Sequence, residues 1–570
     1  MKDVVLWNII APSAGISGAE KLYSSKEGEW SFPLQLAPGE EIDFSRHINL
    51  FPACRVREYT AAEKAFLTLD FEGELSAEIS YLSEGKAPSW DRLRVLSGEP
   101  VEIDLSRGDL VGVSVSTENG ATILGGCFSV TVDEPKRVKL AHVVCTYHRE
   151  DDVRAKHALI MKYLEAHPEM KDSYSLIVID NGASLVPTDF PGAEVIASPN
   201  YGGSAGFSRG ILKALEDPDI TDILLNDDDA VLEPEMVFRA MAFRSILRPE
   251  YGSAALGGAM LLRNEPSRVH ELGAVFRGLN PMPLAHGIDV STQDGCLSLC
   301  DSGIPEYFGW WFADFPRTSF ERFGLPLPYF YKVDDGEFGS RLAGAPEIPV
   351  PGISVWHPSF RLGYTPASVY YSTRNTLATA AIRGKLTKDA IKGFYNDVLC
   401  DTACLKYQYA EARLKAAEDF LEGPVEVFES FLDGPEKVPD CEWSDPEELR
   451  KELDIRESKE RPRWFRFCSM NGLLLSAKGD REASITDRKT AHFYRAGKVL
   501  YLRGENRGTI CSRDRGRASK DVRAARKMRR RLKSARKMLW NEYAAAFPKY
   551  SSKEWWESVF SGLQKKRRSQ

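Results

Sequence analysis

Three aspartates stand side by side in "LLNDDDAVLEP", residues 224 to 234, directly after an apolar run. Carboxylates that close repel one another, and the arrangement becomes favourable when a cation is shared between them. In extended backbone alternate side chains point the same way, so Asp227 and Asp229 can offer oxygens to one ligand while Asp228 faces elsewhere. A hard divalent cation, Mg²⁺ or Mn²⁺, suits such an Asp-x-Asp pair and keeps open positions for a diphosphate. The competing reading is an acidic turn whose aspartates cap the helix beginning in "AVLEPEMVFRAM".

Further groups of the same chemical kind lie downstream. "YFYKVDDGEFGSRL", residues 329 to 342, brings Asp334, Asp335 and Glu337, and "ISVWHPSF" brings His357 to an expected strand end. Asp334 at an N-cap with Glu337 three residues on has the form of a capping box, which leaves Asp335 as a candidate general base. His357 before a proline is either a core or turn residue or a third metal ligand. The pair Trp310 and Trp311 in "YFGWWFADFP" reads as a buried strand, on which adjacent side chains face opposite sides, so at most one would touch a ligand.

These residues need elements to carry them. From about residue 138 the chain reads "VKLAHVVCTY", a helical stretch from Asp151 to His167, "YSLIVIDN", a loop and helix, then "DILLNDDD". Apolar strands alternating with helices indicate βαβ units and a mostly parallel sheet. Ligands of such sheets lie beyond the carboxyl ends of the strands, which draws attention to Thr146 and Arg149 after the first strand and Asp180 after the second. The loop "SPNYGGSAGFSRG", residues 198 to 210, has Asn200, Gly202 and Gly203 at the entry of a helix. It lacks both the Walker GK[ST] and the GxGxxG spacing, so by itself a plain turn is as good a reading as a phosphate loop.

Residues 1 to 137 are short alternating runs ("EIDFSRHINLF", "AEISYL", "LVGVSVST", "CFSVTVD") between Gly, Pro and Ser, the pattern of an all-β sandwich. Residues 138 to 385 form the expected α/β domain, and 386 to 570 a helical, charged region. In the last, "LKYQYAEARLKAAEDFLEG" has helical spacing and "SDPEELRKELD" opens on an N-cap at Ser444 or Asp445. A chain of 570 residues exceeds one ordinary core. With 43% hydrophobic and 28% charged residues it is a globular composition, and a net charge of −7 speaks against a general nucleic-acid binder. No apolar run approaches the roughly 18 residues of a membrane span, and "MKDVVLWNIIAPSAG" makes a poor signal peptide, so a cytoplasmic protein is expected. The ten cysteines show no zinc spacing and read as reduced thiols.

The order Asn-x-Gly-Gly, Asp-Asp-Asp, Trp-Trp, Asp-Asp-x-Glu and Trp-His-Pro resembles inverting nucleotide-sugar glycosyltransferases of family 2 with the GT-A fold. Within them it looks most like the mycobacterial galactofuranosyltransferases that build cell-wall galactan, and "INLFPACRVREYT" resembles the matching stretch of their β-sandwich domain. The likeness spans roughly residues 40 to 380. It implies a UDP-sugar donor, best UDP-galactofuranose, and a glycan or polyprenyl-linked acceptor in surface-polysaccharide synthesis. Thr146, Arg149, Asp180, Asn200, Gly202, Gly203, Asp227 and Asp228 would then bind the nucleotide sugar. Asp227, Asp229 and His357 would bind Mn²⁺ or Mg²⁺, Asp335 would act as base, and Trp310, Trp311, Asp334 and Glu337 would meet the acceptor.

Two alternatives stay open: a family 2 transferase using dTDP-rhamnose, UDP-glucose or UDP-galactose, and a non-catalytic glycan-binding or scaffold protein. Residues 513 to 537 hold 13 basic and 2 acidic side chains, followed by the aromatic and basic "EWWESVFSGLQKKRRSQ". Such a tail suits an anionic membrane surface and peripheral attachment at the inner face; a solvated helix or a contact within a homo-oligomer is the other reading.

Overall fold

The structure is a computed structural model describing residues 1–562 apart from 343, 345, 458–461, 463, 465–468, 470 and 505. The chain divides into two compact units, one of Met1–Val275, Pro281–Leu325 and Phe338–Pro358, the other of Phe276–Asn280, Pro326–Glu337 and Ser359–Gln570.

The first unit opens with β1 (Lys2–Asn8), β2 (Leu34–Leu36), β3 (Glu41–Asp43), helix α1 (Ala53–Tyr59), β4 (Lys64–Gly73), β5 (Ser76–Leu82), β6 (Ser89–Arg94), β7 (Val101–Ile103), β8 (Leu110–Ser116) and β9 (Ala121–Val132). They make two antiparallel sheets, β1-β9-β4-β7 with β2 on β9, and β3-β8-β5-β6. Alternating burial along β4 puts Ala65, Leu67, Leu69 and Phe71 inside, as a period of two requires. The stretch "EIDFSRHINLF" is strand only over Glu41–Asp43. Asp43 then accepts the Ser45 N–H at 2.7 Å, and Leu50 N–H turns back to the Arg46 carbonyl at 2.8 Å, so local bonds outcompete the ladder and α1 comes next.

The composition shift near residue 137 does not separate two compact bodies. Arg239, wholly buried, lies 4.0 Å from the Trp7 ring centroid and donates to the carbonyls of Asn8, Ile48 and Gly352 at 2.9, 2.6 and 2.9 Å. Glu233 accepts from Ala14 N–H at 2.8 Å and the Tyr23 hydroxyl at 2.6 Å. A buried charge must be this fully partnered to be tolerated, so these bonds tie the amino-terminal strands to the chain around Glu233, Arg239 and Gly352.

From residue 138 the chain runs β10 (Leu140–Thr146), α2 (Glu150–Ala166), β11 (Tyr174–Asp180), β12 (Ala193–Ala197), α3 (Gly203–Glu216), β13 (Asp222–Asp227), β14 (Val231–Leu232), α4 (Glu235–Ser245), β15 (Ala255–Leu262), β16 (Glu265–Glu271), β17 (Ala274–Arg277), β18 (Asn280–Pro283), α5 (Gln293–Cys300), β19 (Ala313–Pro316), α6 (Arg317–Phe323), α7 (Asp334–Gly339), whose residues up to Glu337 belong to the second unit, and β20 (Glu347–His357). Nine strands form one mixed sheet ordered β12-β11-β10-β13-β19-β15-β20-β14, with β16 on β15. β12, β11, β10 and β13 are mutually parallel, and β19 is antiparallel to both β13 and β15. The chain winds outward from β10 through β11 to β12 and returns on the other side of β10 as β13. In open α/β sheets such a reversal marks the place where ligands bind, and here it falls at the carboxyl ends of β10 and β13, where the first acidic cluster sits.

The second unit holds α8 (Pro366–Ile382), α9 (Lys388–Ala403), α10 (Tyr407–Glu422), α11 (Pro424–Glu429), α12 (Pro446–Arg450), a small sheet of β21 (Arg481–Ser484), β22 (Lys498–Leu502) and β23 (Gly508–Ser512), then α13 (Arg515–Tyr550) and α14 (Lys553–Phe560). Residue 385, expected as a boundary, falls between two helices of this unit, and the region expected to be helical also contains that three-stranded sheet. Asp445 caps α12, accepting the Glu447 N–H at 2.9 Å. The basic α13 belongs to the core on one side: Leu532, Leu539 and Tyr543 are fully buried, and Tyr543 stacks on Phe420 at 4.9 Å. Trp555 and Trp556, the aromatics of the tail expected to suit an anionic surface, are buried as well, with Trp556 Nε1 donating to the Pro326 carbonyl at 2.9 Å. The basic end of that tail, residues 563–570, lies outside the described residues. Among the described residues no helix is long and apolar enough to cross a membrane.

Candidate active site

Strand register does most of the assembly. Thr146 pairs with Asp180, Cys145 with Asp227, and Leu262 with His357, so four strands end with polar side chains at one edge of the sheet. Asp227, Asp229 and His357 each offer one ligand atom, and these atoms lie within 4.8 Å of one another. His357 Nε2 is 3.0 Å from Asp229 Oδ1 and 3.9 Å from Asp227 Oδ2. Its Nδ1 lies 2.7 Å from the Pro358 carbonyl, an acceptor only, so Nδ1 carries a proton and Nε2 is the atom presented. Two carboxylates and one imidazole are a donor set that fits a hard or borderline divalent cation with positions left open.

Asp228 faces the other way. It accepts from Thr146 Oγ1 at 2.9 Å, and Arg149 reaches both it, at 3.5 Å, and Asp229. Burial would raise every carboxyl here. At Asp228 it wins over Arg149 and the Thr146 bond, and the pKa is raised. At Asp229 burial is outweighed by the hydrogen bond and charge of His357 and by Arg149, and the carboxyl is held far below the usual range. Burial would lower His357, but Asp229 and then Asp227 outweigh it and raise the imidazole.

Asp180 is almost wholly buried and accepts the backbone N–H groups of Gly182, Ser184 and Leu185 at 2.9, 2.6 and 2.7 Å, so it shapes the loop after β11. Asn200 Oδ1 accepts the Gly202 N–H at 3.2 Å. Gly202 has φ +86°, a conformation that L side chains rarely adopt, and leads directly into α3 at Gly203. Two later glycines of that motif serve packing: a Cβ at Gly206 would stand 2.1 Å from Cys145 Sγ, and one at Gly210 2.2 Å from Val143 Cγ1. Part of the glycine pattern therefore brings α3 onto β10.

Trp310 and Trp311 lie in a turn before β19, where a strand is expected from sequence. The Gly309 N–Cα–C corner cannot hold a side chain against the Trp311 ring, and the turn buries both indoles. Trp310 packs edge-on against Phe207 at 5.0 Å and Phe338 at 6.4 Å, in the interior. Trp311 is the one near the acids, with its ring 6.4 Å from that of His357.

In the second unit, α7 starts at Asp334 itself, so Asp334 is the first helical residue where a cap was expected. Asp334 and Asp335 are half-buried and Glu337 is buried at 1% exposure. Asp335 Oδ1 lies 2.7 Å from the Gly336 N–H.

No protein-family model matches the chain. It is 28% identical over 435 residues to the galactofuranosyltransferase GlfT2 of Mycobacterium tuberculosis, an alignment covering 69% of this chain and 67% of that protein. It is 27% identical over 434 residues to GlfT2 of Mycolicibacterium smegmatis, covering 69% and 65%. By kinship the chain is a glycosyltransferase. It spans about two thirds of the length of these relatives. Among solved structures, GalNAc-T7 with UDP, GalNAc and Mn²⁺ overlaps 44% of this chain and 49% of that one, at 11% identity and a TM-score of 0.32.

Two residues of the transferase carry little or no signal in the sequence. Lys156 on α2 is buried beneath the triplet and donates to Asn226 Oδ1 and the Asp227 carbonyl. Burial pulls its pKa down to about 8 against the charges of Asp228, Asp227 and Asp229. Asn226 in turn donates to the Trp311 carbonyl, so a chain of bonds runs from α2 through β13 to the Trp turn. A lysine among helical polar residues gives no hint of this. The second is Asn375, fully buried in the middle of α8. An asparagine is a poor helix-interior residue, and in "YYSTRNTLATA" that is the available signal.

Proposed function

We propose that the chain is a GT-A-type inverting transferase that moves a sugar, best galactofuranose from UDP-galactofuranose, to a glycan or polyprenyl-linked acceptor. The observation that carries the reading is the Asp227–Asp229–His357 cluster at the carboxyl ends of β13 and β20, on a chain similar to galactofuranosyltransferases. Mn²⁺ or Mg²⁺ bound by these three residues would offset charge on the departing diphosphate. Arg149, Asp180 and Asn200 would hold the uridine and diphosphate, with Asp228 and Thr146 fixing the Arg149 end. The amino-terminal strands would serve as a support bonded to α4 and β20.

Asp335 would take the proton of the acceptor hydroxyl. The hydroxyl oxygen then bonds the anomeric carbon as the bond from that carbon to the diphosphate oxygen breaks, and one in-line displacement inverts the centre. A positioned base contributes roughly 10²- to 10⁴-fold. Asp335→Asn is therefore expected to lose turnover in that range while still binding UDP, measured by nucleotide release with a panel of UDP- and dTDP-sugars and a galactofuranosyl disaccharide. Full turnover in that variant would remove Asp335 as base; preference for another donor would redirect the substrate assignment.

Peripheral membrane attachment is supported by α13. Lys520, Arg523, Lys527, Arg530 and Lys537 are exposed along one face of the helix whose other face is core. Each would add about 1 kcal/mol on an anionic surface. Because α13 belongs to the core, substitution of these five by Gln is the test: binding to phosphatidylglycerol vesicles should fall and unfolding temperature hold. Equal binding of both forms rejects the surface.

A further inference from the structure

Phe330, Lys332 and Val333 have φ of 63°, 71° and 72° immediately before Asp334 and Asp335. Left-handed backbone at three non-glycine positions, one of them β-branched, persists only where surrounding structure over-determines it. One side chain of α8 bonds three carbonyls of this turn, while Phe330 stacks on Tyr371 at 5.3 Å. Asn375 Nδ2 donates to the carbonyls of Tyr329, Tyr331 and Lys332 at 3.1, 3.0 and 2.8 Å. Two N–H groups thus serve three carbonyls, all of them in the turn that leads into α7.

The orientation of that amide is itself fixed. Arg374 Nε donates to Asn375 Oδ1 at 3.1 Å, and a guanidinium cannot accept, so the oxygen must face Arg374 and the nitrogen the turn. Arg374 is held in turn through the Ser430 hydroxyl at 3.2 Å and adds its own bond to the Tyr329 carbonyl at 3.3 Å. Tyr329 is anchored at its other end, its hydroxyl 2.9 Å from Thr379 Oγ1 one helical turn beyond Asn375. Both Arg374 and Asn375 are buried, which keeps water from competing for these carbonyls.

We infer that Asn375 is a positioning residue of the transferase, whose amide clamps the 329–333 turn in the conformation that delivers Asp334 and Asp335. The clamp stands on the geometry alone; its effect on turnover rests on the reading of Asp335 as base. Asparagine is suited to the task because a short planar amide offers two donors and an acceptor at fixed angles. Aspartate at this position keeps the shape and loses both donors.

The experiment uses the full chain and the variants Asn375→Asp, Asn375→Ala and Asn375→Ala with Val333→Gly. Hydrogen exchange read on peptides covering 329–335 should rise about tenfold or more in the two single variants, with Leu140–Thr146 and Asp222–Asp227 unchanged. With UDP-galactofuranose and a galactofuranosyl disaccharide, kcat should fall about ten- to hundredfold and donor KM stay within twofold, since misplacing a reacting group by an ångström costs rate on that scale. Glycine at 333 accepts positive φ, so the double variant should regain several-fold in kcat. Unchanged exchange at 329–335 in Asn375→Asp overturns the clamp whatever turnover does, and Asn375→Asp carries that test if the alanine variant does not fold. A loosened turn with normal kcat overturns the positioning role. Asp335→Asn judges the base separately, because it leaves Asn375 and the turn's bonds in place.

Discussion

The cluster at Asp227, Asp229 and His357 and the pair Asp334–Asp335 are the two acidic groups on which the proposed chemistry rests, and they are held by opposite means. The first stands on regular strand ends: the sheet register sets the positions, and Arg149, Lys156 and His357 supply the countercharge that lets three neighbouring aspartates remain together. The second stands on a turn in an unfavourable conformation, kept there by an amide from a helix that begins about thirty residues later. A rigid sheet suits a site whose ligand geometry is demanding. A turn over-determined by a few side-chain bonds can be tuned or released by a single substitution.

The sharpest way to break this contrast is at the strand ends. Asp229 bonds His357 and Arg149 together and is held ionised by both, so Asp229→Ala removes a proposed metal ligand and the acidic partner of both side chains at once. Turnover is expected to fall by roughly 10³-fold or more, on the scale set by lost charge stabilisation in a transferase site. Metal titration after EDTA treatment should show no recovery at concentrations that restore the native chain. A variant as active as the native chain without added metal would dissolve the distinction between a proposed metal cluster and a proposed base.

The same contrast explains what the sequence could and could not reveal. Apolar runs ending in Thr146, Asp180, Asp227 and His357 announce strand ends through composition alone, and the rule that ligands lie beyond them gathers those residues before any coordinates exist. Side chains whose partners are distant in sequence give no such signal. Lys156 lies 71 residues from the Asp227 carbonyl it bonds, and Asn375 lies 43 from Lys332. The Trp310–Trp311 turn reads as strand because aromatic runs look alike in either state, and the burial of Trp555–Trp556 is not legible because it depends on residues distant in sequence, such as Pro326. The strands of residues 2–132 are legible as β from alternation, whereas their bonding to α4 and the residues just before it, through Glu233, Glu235 and Arg239, is not.

A smaller effect should separate the two uses of glycine on the sheet side. Gly202 is needed for its φ, while Gly206 is needed because α3 sits so close to β10 that a methyl would overlap Cys145 Sγ. Gly206→Ala is therefore an overpacking change, expected to cost about 1–3 kcal/mol. Helix propensity opposes that cost by about 1 kcal/mol, because alanine favours the helix interior. The clash is local, so Gly206→Ala with Cys145→Ala should recover most of the lost stability, the space taken by the new methyl being vacated by the sulfur. Denaturant unfolding of both variants decides it. No recovery in the double variant would mean that Gly206 serves the backbone as Gly202 does. The strand-end half would then depend on special backbone conformations as much as the 329–333 turn, and the contrast between the two regions would narrow to the identity of the clamp.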